Sequence, residues 1–290
     1  MKIRLTLFLA AGILLPLFAR FLSAQEWPQN MPIDGAVLLP ALLSGSVLLA
    51  YTGLLDWLSW RRNASSLLRT QQSYTLWLSI GGAICGALLA YLNTFAPLLL
   101  SSLSPGAAIL LAALFGGIWL PGVLITRLWL AGSSTLLHRL TRIPPLPVLA
   151  PEHSTSLLLL TALCGFLGGA VWPMQLTWLL YLSALLLLAA LLLLWHGSTV
   201  FSGTANGDWS RIVLGASSGI LVGGGMFLVF TLAGGAFYLV VSPALFTVLL
   251  GVSGLLCVQL GDVIAENWRG KKRIDISKRK PFPIPVVAKD

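Results

Sequence analysis

The sequence predicts an all-α protein: a polytopic transmembrane bundle of about eight helices with both termini in the cytoplasm. Three observations predict it. Of 290 residues only 9% are charged, 57% are hydrophobic, and the apolar residues fall in runs long enough to cross a bilayer. Soluble domains carry about 25% charged residues, and the mean hydropathy here is +0.90. The runs are continuous rather than alternating, which argues against a membrane β-barrel. Backbone groups in lipid must be satisfied within their own segment, so each run is expected to be a helix.

Crossing about 30 Å of hydrocarbon takes about 20 apolar residues. Segments at approximately 4–24, 34–58, 75–99, 106–130, 154–172, 174–195, 211–240 and 243–265 meet that need. The first, "MKIRLTLFLAAGILLPLFARFLSAQ", has the basic start and apolar middle of a signal peptide. Leu22 and Arg20 disfavour a cut after Ala24, so a retained helix is expected; cleavage would leave seven spans. Short connections at "SSLSPG", "VWPMQ" and "VVSPA" are marked by proline, which disfavours helix at the residue before it.

The cations set the orientation. Lys2, Arg4, Arg61, Arg62, Arg69, Arg127, Arg139, Arg142, Arg211 and the tail residues from Arg269 to Lys289 fall on one side of an eight-span chain, and Arg20 falls toward the other. Positive charge marks the cytoplasmic side. The chain then divides into a bundle, 1–268, and a basic cytoplasmic tail, 269–290. The net charge of +9 thus reads as juxtamembrane charge that meets lipid headgroups, not nucleic acid.

Cys85, Cys164 and Cys257 lie in separate apolar runs without metal-ligand spacing and read as small packing residues. A b-type haem needs paired histidines within spans, whereas His138, His153 and His196 lie in loops or at span ends. No metal site and no cofactor held by the chain itself is expected. Gly215, Gly219 and Gly223 recur every four residues in the seventh span. They form a smooth face for a neighbouring helix, a second copy or a flat lipophilic ligand.

Ionisable residues within spans are costly and therefore candidates for function. Asp56 closes the second span, Arg127 lies in the fourth, and Asp262 and Glu266 share a face near the end of the eighth. Between the sixth and seventh spans runs "WHGSTVFSGTANGDWSR", residues 195–211. It reads either as a turn with Asp208 as a helix cap, or as a loop dipping into the bundle. In the second case its hydroxyls satisfy broken backbone groups, and His196 and Asp208 exchange protons beside a headgroup-depth pocket.

The run from Trp195 to Ala205 with Trp209, together with "DWSRIVLGA" and "LGDVIAENWRG", resembles the membrane-anchor subunits of molybdopterin oxidoreductases. These are the anchors of the polysulfide, tetrathionate and dimethyl sulfoxide reductases. The resemblance covers about 60 residues of the second half. The first half departs from it: "LDWLSWRRN" stands where many anchors have a His-Gly-Pro step, and the third span holds neither His nor Glu. The resemblance implies a bacterial inner-membrane subunit that binds quinone or quinol and exchanges electrons with an iron–sulfur partner in a molybdopterin complex. Asp56, His196, Asp208, Asp262, Glu266 and Arg127 are the groups that would serve the quinone and its protons. Two readings of other classes stay open: a transporter or channel for a small solute, and a non-catalytic assembly or scaffold protein.

Overall fold

A computed structural model describes residues 35–63, 66–95, 97–100, 103–145, 151–196, 199–235 and 238–269. The expected first span, 4–24, and the tail beyond Arg269 lie outside the described residues. Helix accounts for 84% of what is described. The helices are α1 (Gly35–Asn63), α2 (Leu67–Thr70), α3 (Gln72–Phe95), α4 (Pro105–Ala131), α5 (Ser134–Leu140), α6 (Pro151–Val171), α7 (Pro173–His196), α8 (Ser210–Leu232) and α9 (Pro243–Arg269). Six of them are long and apolar enough to cross a membrane, the architecture of a multi-pass membrane protein, and α7 contributes a shorter apolar stretch, Trp178–Leu194.

Two expected spans end early. The run written as 75–99 stops at Phe95, close before Pro97, and the run 211–240 stops at Leu232, just before Gly234, whose φ of 86° no helix continues. Both remainders turn into strand. Leu99 and Leu100 (β1) pair antiparallel with Leu239 and Tyr238 (β2), a small exception to an all-helical fold. Asn93 builds the approach to β1: its side-chain oxygen accepts from the Leu98 and Leu99 amides at 2.8 and 3.1 Å, and its amide donates to the Leu99 carbonyl at 2.8 Å.

Helix α4 is central and packs against α1, α3, α8 and α9, while α6 pairs with α7 and α7 docks on α9. Backbone approach is closest where glycines face each other. A methyl group on Gly82 would overlap the Gly116 carbonyl, and one on Gly219 would overlap the Leu250 carbonyl and press on Gly254. In the described structure the glycine face of α8 is therefore filled by α9, as expected of small residues at a membrane helix interface. The core gathers Leu78, Leu120, Val123, Ile125, Leu185, Val222 and Val258 around the fully buried ring of Tyr74.

Outward faces are apolar. Leu76, Trp77, Ile80, Ile84, Leu88 and Tyr91 line one side of α3, and Leu157, Leu160, Leu163 and Leu167 line one side of α6. Exposed apolar stripes of this extent exceed those of soluble monomers and suit contact with lipid. Cys257 is buried and Cys85 half-buried, but Cys164 faces outward on α6 rather than packing in the bundle.

Candidate functional site

All charged side chains of the described residues gather at one end of the bundle. That end holds the C-termini of α1, α4, α7 and α9 and the N-termini of α3, α6 and α8, whereas the connections carrying β1 and β2 hold no Asp, Glu, Lys, Arg or His. The site is built there from helix ends that the alternation of antiparallel spans brings together.

Asp56 is 2% exposed. Its carboxylate accepts from Ser66 Oγ at 2.5 Å and from the Leu67 and Leu68 amides at 2.8 and 3.4 Å. These are the free amides at the start of α2, which a capping anion satisfies. Ser66 Oγ in turn accepts from the Arg69 amide at 3.1 Å. Asp56 thus fixes the connection between α1 and α3, a structural duty that absorbs its acceptor capacity.

Asp262 forms an ion pair with Arg211, which stands in the first turn of α8. One carboxylate oxygen meets the Arg211 guanidinium; the other is buried without a hydrogen-bond partner, as is Nε of Arg211. Arg127, 4% exposed, lies within electrostatic reach of Asp262, Arg211 and Asp208. Three residues before Asp262 on α9, Gln259 is fully buried, and neither its amide nitrogen nor its oxygen has a partner. On the next face of α9, Tyr74 donates its hydroxyl to the Gly261 carbonyl at 2.9 Å, tying α3 to the same turn. Tyr51 and Thr126 share a hydrogen bond at 3.2 Å between α1 and α4 close by.

The loop from Thr199 to Trp209 dips into the bundle: Val200 is 1% exposed and Thr199 and Thr204 are buried. Its hydroxyls do satisfy local backbone. The Thr199 amide donates to Ser202 Oγ at 2.5 Å, the Phe201 amide to Thr199 Oγ1 at 3.1 Å, and Thr204 Oγ1 to the Phe201 carbonyl at 2.8 Å. Asp208 accepts from the Ser210 amide at 2.9 Å, but Trp209 holds the N-cap position of α8, so Asp208 stands one residue before the expected cap. The Trp209 amide donates to the Leu140 carbonyl at 3.1 Å, and its indole to the Pro144 carbonyl at 3.3 Å, which seats the loop on the end of α5.

Of the sequence-predicted site residues, the structure brings Arg127, Asp262 and Asp208 into one electrostatic neighbourhood and assigns Asp56 to a cap. His196 ends α7 and Glu266 lies in the last turns of α9, but their side chains lie outside the described residues. Two members were missed by sequence reasoning. In sequence Arg211 reads only as a topology charge and Gln259 as part of an apolar run, although a lone glutamine three residues before an aspartate in "VQLGD" is a readable signal. No group of three or more His, Cys, Asp or Glu side chains placed to hold a metal occurs among the described residues. Comparison with known proteins gives no match to a family model, to a curated sequence or to a solved structure.

Proposed function

We propose that the chain is the quinone-interacting membrane subunit of a respiratory redox complex, and that its site is the cluster of Gln259, Asp262, Arg211 and Arg127. The observation that carries this reading is on α9: a buried amide with both atoms unpartnered stands one turn from a carboxylate oxygen that is also unpartnered. Buried polar groups in proteins are nearly always satisfied, so such a pair calls for a ligand or water that supplies both a donor and an acceptor. A quinone offers carbonyl acceptors and a quinol offers hydroxyl donors. The amide nitrogen of Gln259 suits the first and the free oxygen of Asp262 suits the second. A bound quinol would supply two electrons to an iron–sulfur partner and release two protons, of which Asp262 would take one at its unpartnered oxygen and water the other. Arg211 and Arg127 keep the carboxylate at membrane depth.

In this reading the chain lies in a bacterial inner membrane with eight spans, and both termini are cytoplasmic. The gathering of Arg61, Arg62, Arg69, Arg127, Arg139, Arg142 and Arg211 at one end supports that orientation.

The test is gentle purification of the tagged full-length chain from its own host, with partners identified by mass spectrometry and extracted quinone quantified. A stoichiometric iron–sulfur or molybdopterin protein with bound quinone is expected. Gln259→Leu and Asp262→Asn should then lose the quinone while keeping the partner. A single colourless chain without redox partner or quinone overturns the reading. Uptake of a solute into liposomes by that chain would reassign Asp262 to coupling in a transporter.

A further inference from the structure

The end of α1 and the helix that follows it carry arginines that no described acid answers. Over residues 56–70 the chain carries one acid, Asp56, and three arginines, Arg61, Arg62 and Arg69. The acid is consumed by the cap on α2, and none of the three arginines makes an ion pair with a described residue. Two are held on indoles. The Arg61 guanidinium lies 4.8 Å from the ring centre of Trp57, and that of Arg69 lies 5.4 Å from the ring centre of Trp60. Cation–π contacts of this kind fix a guanidinium face while leaving its edge free to donate. For Arg69 one such donor, Nη1, is buried with no partner. Leaving a buried charged donor unsatisfied is costly, so this atom points to an anion.

The apolar surface beneath identifies the anion's source. Val47 and Leu54 are exposed on α1 at 45% and 46%, and Arg61 follows at the same seven-residue spacing. Residues seven apart on a helix share a face, so an outward apolar stripe runs up α1 and ends under an arginine. Trp57 and Trp60 stand at its upper end, where tryptophan marks the membrane–water boundary. A free phosphate uses the arginines but leaves the stripe without a role. A phospholipid would use both, an acyl chain along Val47 and Leu54 and a phosphate at the guanidiniums that follow them. Planar guanidiniums match phosphate oxygens two at a time.

We propose that Arg61, Arg62 and Arg69, mounted on Trp57 and Trp60, bind the phosphate of an anionic phospholipid whose chain follows the Val47–Leu54 stripe of α1. The site is separate from the Gln259–Asp262 cluster and stands or falls independently of the quinone reading.

The full-length chain in detergent is offered phosphatidylglycerol, phosphatidylcholine or inorganic phosphate, and retained lipid is counted by native mass spectrometry beside the thermal midpoint. Preferential retention of phosphatidylglycerol is expected, with a rise in the midpoint that inorganic phosphate does not reproduce. Each arginine lost lowers the preference about fivefold. Arg61→Gln and Arg62→Gln lie on exposed side chains and leave the fold intact, so they keep the test decisive should Arg69→Gln prove unstable. Arg139→Gln, on another helix, retains the wild-type preference. Equal retention of the two lipids, wild-type retention by the Arg61 and Arg62 variants, or protection by inorganic phosphate equal to that by phosphatidylglycerol would each overturn the proposal.

Discussion

Asp56 and Ser66 meet at 2.5 Å across the junction of α1 and α2, and their contact converts an intramembrane acid into a helix cap. An anion beside the first amides of a helix is favourable, and the bonds to Leu67 and Leu68 leave this one little spare capacity. Asp56→Ala removes the cap and strands buried donors, a loss of about 2 to 4 kcal/mol. Asp56→Asn, which still accepts from the Leu67 amide, loses less. The thermal midpoint in detergent, followed by size-exclusion chromatography, orders the three chains as wild type, Asn, then Ala. Equal midpoints for wild type and Ala would remove the capping role.

The Arg211–Asp262 ion pair makes a different prediction, because removing one partner of this partly buried pair leaves the other charge uncompensated. Arg211→Met or Asp262→Leu alone is expected to cost about 3 kcal/mol, whereas the double variant recovers most of the loss. A double-mutant cycle of thermal midpoints reads the coupling. Additive losses would mean that the two side chains do not hold α8 to α9.

Glycine contacts give a test with an internal control. Gly116→Ala forces a methyl group into the Gly82 carbonyl, and Gly254→Ala does the same against α8. Each is expected to cost about 1 to 3 kcal/mol, as for overpacking generally. Gly224→Ala meets nothing within 4 Å and leaves the midpoint unchanged. A uniform response across the three would show that helix propensity, not close approach, governs these positions.

In the loop before α8, Gly207 holds a φ of 72°, and an added Cβ would stand 2.5 Å from the Ile143 carbonyl. Gly207→Ala therefore strains the backbone and pushes the loop off the end of α5, at about 1 to 3 kcal/mol. Limited proteolysis should cut the variant between residues 199 and 209 faster than the wild type, with the helices otherwise intact. Cleavage at the wild-type rate would show that the loop does not depend on this turn.

The class follows from composition and run length alone. Continuous apolar runs can satisfy their backbone in lipid only as helices, so the described helices fall where the runs lie, from Gly35–Asn63 to Pro243–Arg269. The sequence also determined that charge collects at one end, because the arginines sit in alternate connections. Helix ends were less legible: the spans expected to reach 99 and 240 run past Pro97 and Gly234, the local breakers before which the helices stop. The strand pairing of Leu99 with Leu239 joins residues far apart in the chain, and no local pattern announces it. The site was partly legible. Asp56 and Asp262 look alike in sequence, each an acid near the end of an apolar run. Tertiary structure alone gave one the amides of α2 and the other the guanidinium of Arg211. The reason is physical: a carboxylate's role depends on which donors surround it, and those donors come from other helices.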